Sequence, residues 1–342
     1  MKYLIDKLEA NHVLSRDEFK EILPVNEEYL FERARAAAQK IYGKSIFIRG
    51  LIEFTSFCKN DCYYCGLRAE NKNTQRYRLS KNQILDCCEK GYKAGFRTFV
   101  LQGGEDAFFT DKILAEIITG IKSKYHDCAI TISAGERSYE SYELLFKAGA
   151  DRYLLRHETA NEQHYKMLHP ENLSCANRKK CLYDLKKIGY QTGCGFMVGS
   201  PYQTMDHIID DLFFIKELKP HMAGIGPFLP SSGTPFKNEN AGSLHLTLNI
   251  LAVLRLMLPN LLLPATTALG TLDNSGRISG ILAGANVLMP NLSPDDARKK
   301  YMLYDNKLNT GFEAAEGIAG LKKQIESIGY EIVTSRGDYR NI

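Results

Sequence analysis

Residues Ser80–Asp106 read SKNQILDCCEKGYKAGFRTFVLQGGED, and this one stretch contains a whole structural unit. Ser80 and Gln83 have the spacing of a capping box, in which each side chain satisfies the other residue's free backbone N–H. A helical pattern over Gln83–Lys93 follows, and Gly95 stands where such a helix stops. Arg97–Leu101 is then a short β-prone run that passes directly into the polar, glycine-rich Gln102-Gly103-Gly104-Glu105-Asp106. Helix, strand and polar strand end form the module that the rest of the chain repeats.

The other predicted strands are Ser45–Phe54, Ala129–Ser133, Arg152–Arg156, Thr192–Val198, Met222–Phe228, Leu261–Thr267 and Ala285–Met289. Helical patterns fall between them at Lys112–Ser123, Tyr139–Lys147, Asn177–Lys187, His207–Glu217 and Leu246–Leu258, with Gly149 and Gly189 at further stops. Strands that alternate with helices make parallel βαβ units. Six of the eight strands run into polar ends: QGGED, SAGE, RHETA, GSP, TTALGT and MPN. A closed (βα)8 barrel of the TIM type, an α/β fold, gathers all these ends at one mouth, whereas a doubly wound sheet would gather only some. Ahead of the barrel, Ser15 with Glu18 forms another capping box, Asn26 is a second N-cap, and Gly43 ends an Ala-rich run from Glu27 to Tyr42. The expected organisation is an N-terminal helical extension over 1–44, the barrel over 45–310 and a C-terminal helical segment over 311–342.

Composition excludes several classes. The 342 residues carry 44 Lys+Arg and 40 Asp+Glu, a net charge of +4 that gives no reason to expect nucleic-acid binding. Apolar residues make up 44% and charged ones 25%, as in ordinary globular proteins. The start, MKYLIDKLEANHVLSRDEF, mixes charges with apolar residues, unlike a secretory signal. The apolar stretch Asn249–Pro259 contains Arg255 and is far shorter than the ~20 residues that span a bilayer, so no membrane partner is expected. Nine cysteines, an odd number, are too scattered for a disulfide framework, and a reducing, cytoplasmic setting is expected.

Three of those cysteines are clustered. FTSFCKNDCYYCGLR places Cys58, Cys62 and Cys65 in a C-x3-C-x2-C array directly after the first strand. Structural zinc takes four ligands, usually from two paired motifs, and no second C-x2-C exists here. Three thiolates suit a 4Fe–4S cluster with one iron left open, since most such clusters take four. The open iron can accept a chelating amine and carboxylate. S-adenosylmethionine offers both, and its sulfonium can accept an electron and break to a 5′-deoxyadenosyl radical.

The array resembles the cluster loop of the radical-SAM family, in which the aromatic residue before the third cysteine, here Tyr64, faces the adenine. Gln102-Gly103-Gly104-Glu105 resembles that family's GGE motif, whose glycines let the backbone approach the methionyl amine. IEFTSFCKNDCYYCGLRAENKN, AGADRYLLRHETAN, GIGPFLP, LPATTALGT and GANVLMPN narrow the likeness to the maturases that build the FeFe-hydrogenase active-site cluster. Biotin synthase and methylornithine synthase are the nearest siblings, and the likeness runs from about Arg49 to Tyr304.

That resemblance implies roles residue by residue. Glu158 would accept hydrogen bonds from the ribose hydroxyls, Arg178 would pair with the methionyl carboxylate, and Tyr304 would close over the adenosyl site, with Ser133 and Arg156 also on the cofactor side. The hydroxyls of Thr131, Thr266 and Thr267 with Arg152 around a pocket suit a small anionic substrate, though threonine is also an ordinary strand residue; Met222 and Met289 read as core, and the resemblance places them near the cavity and implies an iron complex as substrate. An electron donor of flavodoxin or ferredoxin type and other hydrogenase-maturation proteins would be partners.

Read without the family, Glu158 also fits an ion pair with an arginine, Arg178 a surface charge, and Tyr301 and Tyr304 helix packing. His157 points to the other face of its strand and reads as packed or solvated. Thr271 is one more hydroxyl near the seventh strand. The remaining Cys87, Cys88, Cys128, Cys175, Cys181 and Cys194 fit inert buried thiols. No cysteine follows Cys194, so the second C-terminal cluster of some maturases has no ligands here. SSGTPF after GIGPFLP, and Gly103 before Gly104, depart from relatives and leave the substrate open. A methylornithine-synthase-like mutase and a non-catalytic iron–sulfur electron carrier are the competing readings.

Overall fold

The computed structural model describes residues 1–25, 28–308 and 314–341. Asn26, the start of the Glu27 run and the expected boundary at 310/311 lie outside the described residues. Strands follow in chain order as β1 (Ser45–Ile48), β2 (Gly50–Thr55), β3 (Thr98–Gly103), β4 (Ala129–Ser133), β5 (Arg152–Leu154) and β6 (Gln191–Cys194). The second half adds β7 (Met197–Val198), β8 (Met222–Ala223), β9 (Gly226–Pro227), β10 (Val287–Leu288) and β11 (Glu331–Val333).

β2, β3, β4, β5, β6 and β8 lie side by side in that order, all parallel. Two bridges continue the ring, Leu262 to Met222 and Pro264 to Val287. β10 pairs with β1, and Asn291 beyond it bridges to Leu51 of β2. Eight parallel staves thus close on themselves, as the alternation predicts.

The sequence pattern misplaces some strand boundaries. Ser45–Phe54 is two strands because its neighbour changes: β1 lies between β10 and β11, whereas β2 lies against β3. Thr192–Val198 and Met222–Phe228 are each split as well, the first at Gly195, whose φ is +154°. Leu261–Thr267 forms only isolated bridges, since Pro264 has no N–H to give and the chain turns into helix Thr267–Leu272 directly after Thr266.

Both predicted capping boxes form, at Ser15 and at Ser80, and Gly95, Gly149 and Gly189 all take positive φ where helices stop. Helix Leu244–Met257 is buried continuously from Thr247 to Met257 because the N-terminal helices cover its outer face. Asn249 Nδ2 donates to the carbonyls of Leu23 and Val25, both at 2.8 Å, and binds that layer in place. Arg255, inside the apolar run, is satisfied by Gly284 O, Pro259 O and Asn286 Oδ1. No helix among the described residues is long and apolar enough to cross a membrane. The C-terminal part is more than helical. After helix Ile318–Ser327 it supplies β11, then a tail whose Arg336 and Asp338 close the base of the barrel.

Candidate active site

β2 ends at Thr55, and the loop beyond it carries Cys58, Cys62 and Cys65 as half-buried free thiols. Lys59 N–H donates to Glu105 O at 2.9 Å and Gly66 N–H to Leu303 O at 2.8 Å, so both ends of the loop are held. Gly104 presses on it: a Cβ there would lie 2.3 Å from Phe57 O and 2.7 Å from Cys58 Cβ. Burial pushes all three thiols up, Cys65 to about 12, and neighbouring thiols raise Cys62 and Cys65 further. Among the described residues no group of three such side chains could hold a single metal ion. A cluster, whose ligands sit on separate irons, does not require that convergence, and three desolvated thiols are a donor set suited to iron.

A cavity of 280 Å³ opens beside Cys65 at the barrel mouth, and Tyr64, Gln102, Gly103, Ser133, Arg156, Glu158, Arg178, Tyr301 and Tyr304 line it. An inner cavity of 140 Å³ shares Gln102, Arg156 and Tyr304 with it and adds Thr131, Met222, Thr266, Thr267 and Met289. A larger depression of 540 Å³, lined by Asn71, Ser231 and Asp305, includes no cysteine and no strand-end residue.

β5 stops at Leu154, so Glu158 is not part of an extended strand; its φ is +64°, a left-handed conformation that costs about 1–3 kcal/mol outside glycine. The turn is anchored from beneath. His157 is fully buried, its Nδ1 accepts the Gly195 N–H at 3.3 Å, and its Nε2 faces Asp211 Oδ1 at 3.2 Å. Burial pushes the imidazole down to about 3 and raises Asp211, so His157 is a neutral packed residue, as expected. Glu158 Oε2 then lies 3.2 Å from Arg156 Nη2, and Arg178 Nε pairs with Glu136 Oε1 at 2.8 Å. The ion-pair reading and the cavity-lining reading of Glu158 therefore coexist.

Arg152 departs from the expectation. Its side chain points inward, as strand parity requires, but at the other end of the barrel, where it is fully buried. It donates to Thr98 Oγ1 at 3.0 Å, Gln191 Oε1 at 3.2 Å, Arg336 O at 2.7 Å and Asp338 Oδ1 at 2.6 Å, and it reaches neither cavity. Strand periodicity fixes the face of a residue and not its height in the barrel. Gly104 and Glu105 also line neither cavity: Gly104 braces the cysteine loop, and Glu105 Oε1 accepts the Glu136 N–H at 2.9 Å. Thr271 bonds back to Thr267 O within its helix. The six other cysteines are buried, as expected.

Sequence reasoning missed the charged floor of the inner cavity. Glu53 is completely buried, with Lys307 Nζ 2.7 Å from Oε1 and Asn291 Nδ2 2.8 Å from Oε2. Arg49 donates Nη1 to Met222 Sδ at 2.9 Å, while its Nε and Nη2 have no partner among the described residues. The hydroxyls of Thr131 and Thr266 are likewise buried and have no partner among the described residues. Two charges inside the single β-prone run Ser45–Phe54, Arg49 and Glu53, were the available signal; Lys307, beyond the last predicted strand, offered none.

Known proteins resemble this chain in sequence and in fold. The model of the Radical SAM superfamily matches residues 52–215. The [FeFe] hydrogenase maturase subunit HydE of Thermotoga maritima is 42% identical over 330 residues, covering 95% of this chain and 94% of that one. The 3-methylornithine synthase of Methanosarcina acetivorans is 28% identical, covering 95% and 92%. A crystal structure of methylornithine synthase (PylB) superposes with a TM-score of 0.85 at 26% identity, covering 96% of this chain and 97% of that one.

Proposed function

Since this chain belongs to the HydE family of [FeFe]-hydrogenase maturases within the radical-SAM superfamily, we propose that its inner cavity takes a small anionic, sulfur-, amino-acid- or iron-bearing substrate during assembly of the hydrogenase's active-site cluster. The protein is a radical-SAM enzyme that uses a 4Fe–4S cluster and S-adenosylmethionine. Cys58, Cys62 and Cys65 would hold the cluster. When bound, the two cofactors supply a 5′-deoxyadenosyl radical.

The chain's own residues divide the remaining work. Tyr64, Glu158 and Arg178 line the outer cavity beside Cys65, where an aromatic ring, a carboxylate and a guanidinium suit adenine, ribose hydroxyls and the methionyl carboxylate. Tyr301 and Tyr304 wall the mouth and limit access of water to a reactive intermediate. The observation that carries the substrate class is the charge of the inner cavity: Lys307 is matched by Glu53 and Arg156 by Glu158, while among the described residues Arg49 has no carboxylate within ion-pair distance and two guanidinium nitrogens without a partner. A buried cation without a counter-charge favours an anion. An external reductant of flavodoxin or ferredoxin type and other maturation proteins are the proposed partners, and free thiols throughout suit the cytoplasm. The PylB likeness keeps a mutase acting on an amino acid as the second reading.

Anaerobic reconstitution, followed by EPR of the reduced cluster with and without S-adenosylmethionine, tests the class. A changed spectrum and release of 5′-deoxyadenosine are expected, and Cys62→Ala should abolish both. An unchanged spectrum with no 5′-deoxyadenosine would leave an electron carrier.

A further inference from the structure

Helix Glu162–Leu168 ends because Pro170 lies ahead: the residue before a proline is driven out of the helical region, and His169 sits at φ −135°, ψ 151°. The imidazole is 2% exposed. It stacks on Tyr165 with centroids 3.9 Å apart and planes 16° from parallel, and it meets Tyr64 edge-on at 5.3 Å and 85°. Both ring nitrogens are engaged, Nδ1 3.0 Å from Tyr165 O and Nε2 3.2 Å from the Tyr64 hydroxyl. A carbonyl only accepts, so the ring proton is on Nδ1, and Nε2 is left to accept the Tyr64 O–H.

The contact is double. Leu168 O, one residue earlier, accepts the Tyr63 N–H at 2.9 Å. Leu168 and His169 therefore grip Tyr63 and Tyr64, the two residues between Cys62 and Cys65. On the other side of the stack, the Tyr165 hydroxyl lies in the field of Arg178. One short segment thus holds the cysteine loop through a backbone bond and a side-chain bond.

We propose that His169 is a positioning residue, which sets the ring of Tyr64 against the adenosyl end of the cavity and steadies the Cys62–Cys65 segment. The proposal rests on the reading of the outer cavity as the S-adenosylmethionine site. It differs from simple packing because it runs through one hydroxyl.

The test uses the full chain in two states. In the iron-free protein, hydrogen exchange of the Cys62–Cys65 amides should speed up about tenfold in His169→Leu, the loss expected of one buried hydrogen bond. Tyr64→Phe, which removes only the hydroxyl, should do the same, and the double variant should add nothing further. In the reconstituted enzyme, His169→Leu should weaken the Kd for S-adenosylmethionine about tenfold with the iron content unchanged. His169→Gln, which keeps a donor and an acceptor, should restore most of the loss. Unchanged exchange in Tyr64→Phe, or fully additive effects in the double variant, overturns the proposal, and Tyr64→Phe decides it even if His169→Leu fails to fold. If the reconstituted wild type binds no S-adenosylmethionine, the functional reading falls, while the exchange experiment still decides the positioning role.

Discussion

Glu158 combines a left-handed backbone with a carboxylate directed at a guanidinium, and its charge is the property to remove first. Glu158→Gln keeps the shape and should weaken S-adenosylmethionine binding at least tenfold, since hydrogen bonds to a charged group contribute about 1.5–3 kcal/mol. Calorimetric titration of the reconstituted enzyme checks this, and a Kd within twofold of wild type would remove Glu158 from the cofactor site. Gly104 makes a different demand. Gly104→Ala drives a Cβ into Phe57 O and Cys58, both backbone-anchored, so the cysteine loop must shift. Iron bound per chain after reconstitution should fall by more than half in that variant while the far-ultraviolet circular dichroism stays unchanged.

The tail beyond β11 does for the base of the barrel what the strand-end loops do for its mouth. Arg152 is buried there, and Asp338 supplies its only carboxylate within ion-pair distance among the described residues, while Arg336 bridges Asp338 and Asp151. Asp338→Asn leaves a buried guanidinium without a counter-charge and should cost about 1–3 kcal/mol in urea denaturation; a loss below 0.5 kcal/mol, about the limit of surface substitutions, would show that the base is solvated. This element also shows what a sequence can tell. Capping boxes, the cysteine array and polar strand ends are local patterns, so they were legible, and most of the outer cavity with them. The contacts of Arg49, Arg152, Lys307 and β11 arise only when distant segments meet on closure, and nothing within a few positions of each encodes the partner.

Taken as one body, the molecule buries histidines uncharged. His164 is held by Thr159 Oγ1 and Pro201 O, and burial pushes it down to about 4 from a usual value of 6.5. The unfolded chain protonates this group first, so its contribution to stability is full above pH 6.5 and is lost as pH falls from 6.5 towards 4, at roughly 1.4 kcal/mol per pH unit. His164→Asn should flatten the stability–pH curve in that window by about one proton, measured as the difference from wild type by urea melts; parallel curves would refute it. The pairing of Ser45 with Glu331 joins the first strand and the last among the described residues in a single ladder. A ribosome adding ~5–20 residues per second needs roughly 15–60 s between making those two partners. For most of that interval the thiols of Cys58, Cys62 and Cys65, the proposed cluster ligands, exist on a nascent barrel that has no base, open to oxidants and to stray metals. Cluster loading is therefore a problem of timing as well as of affinity, and a cell making this protein gains from delivering iron after the tail has docked.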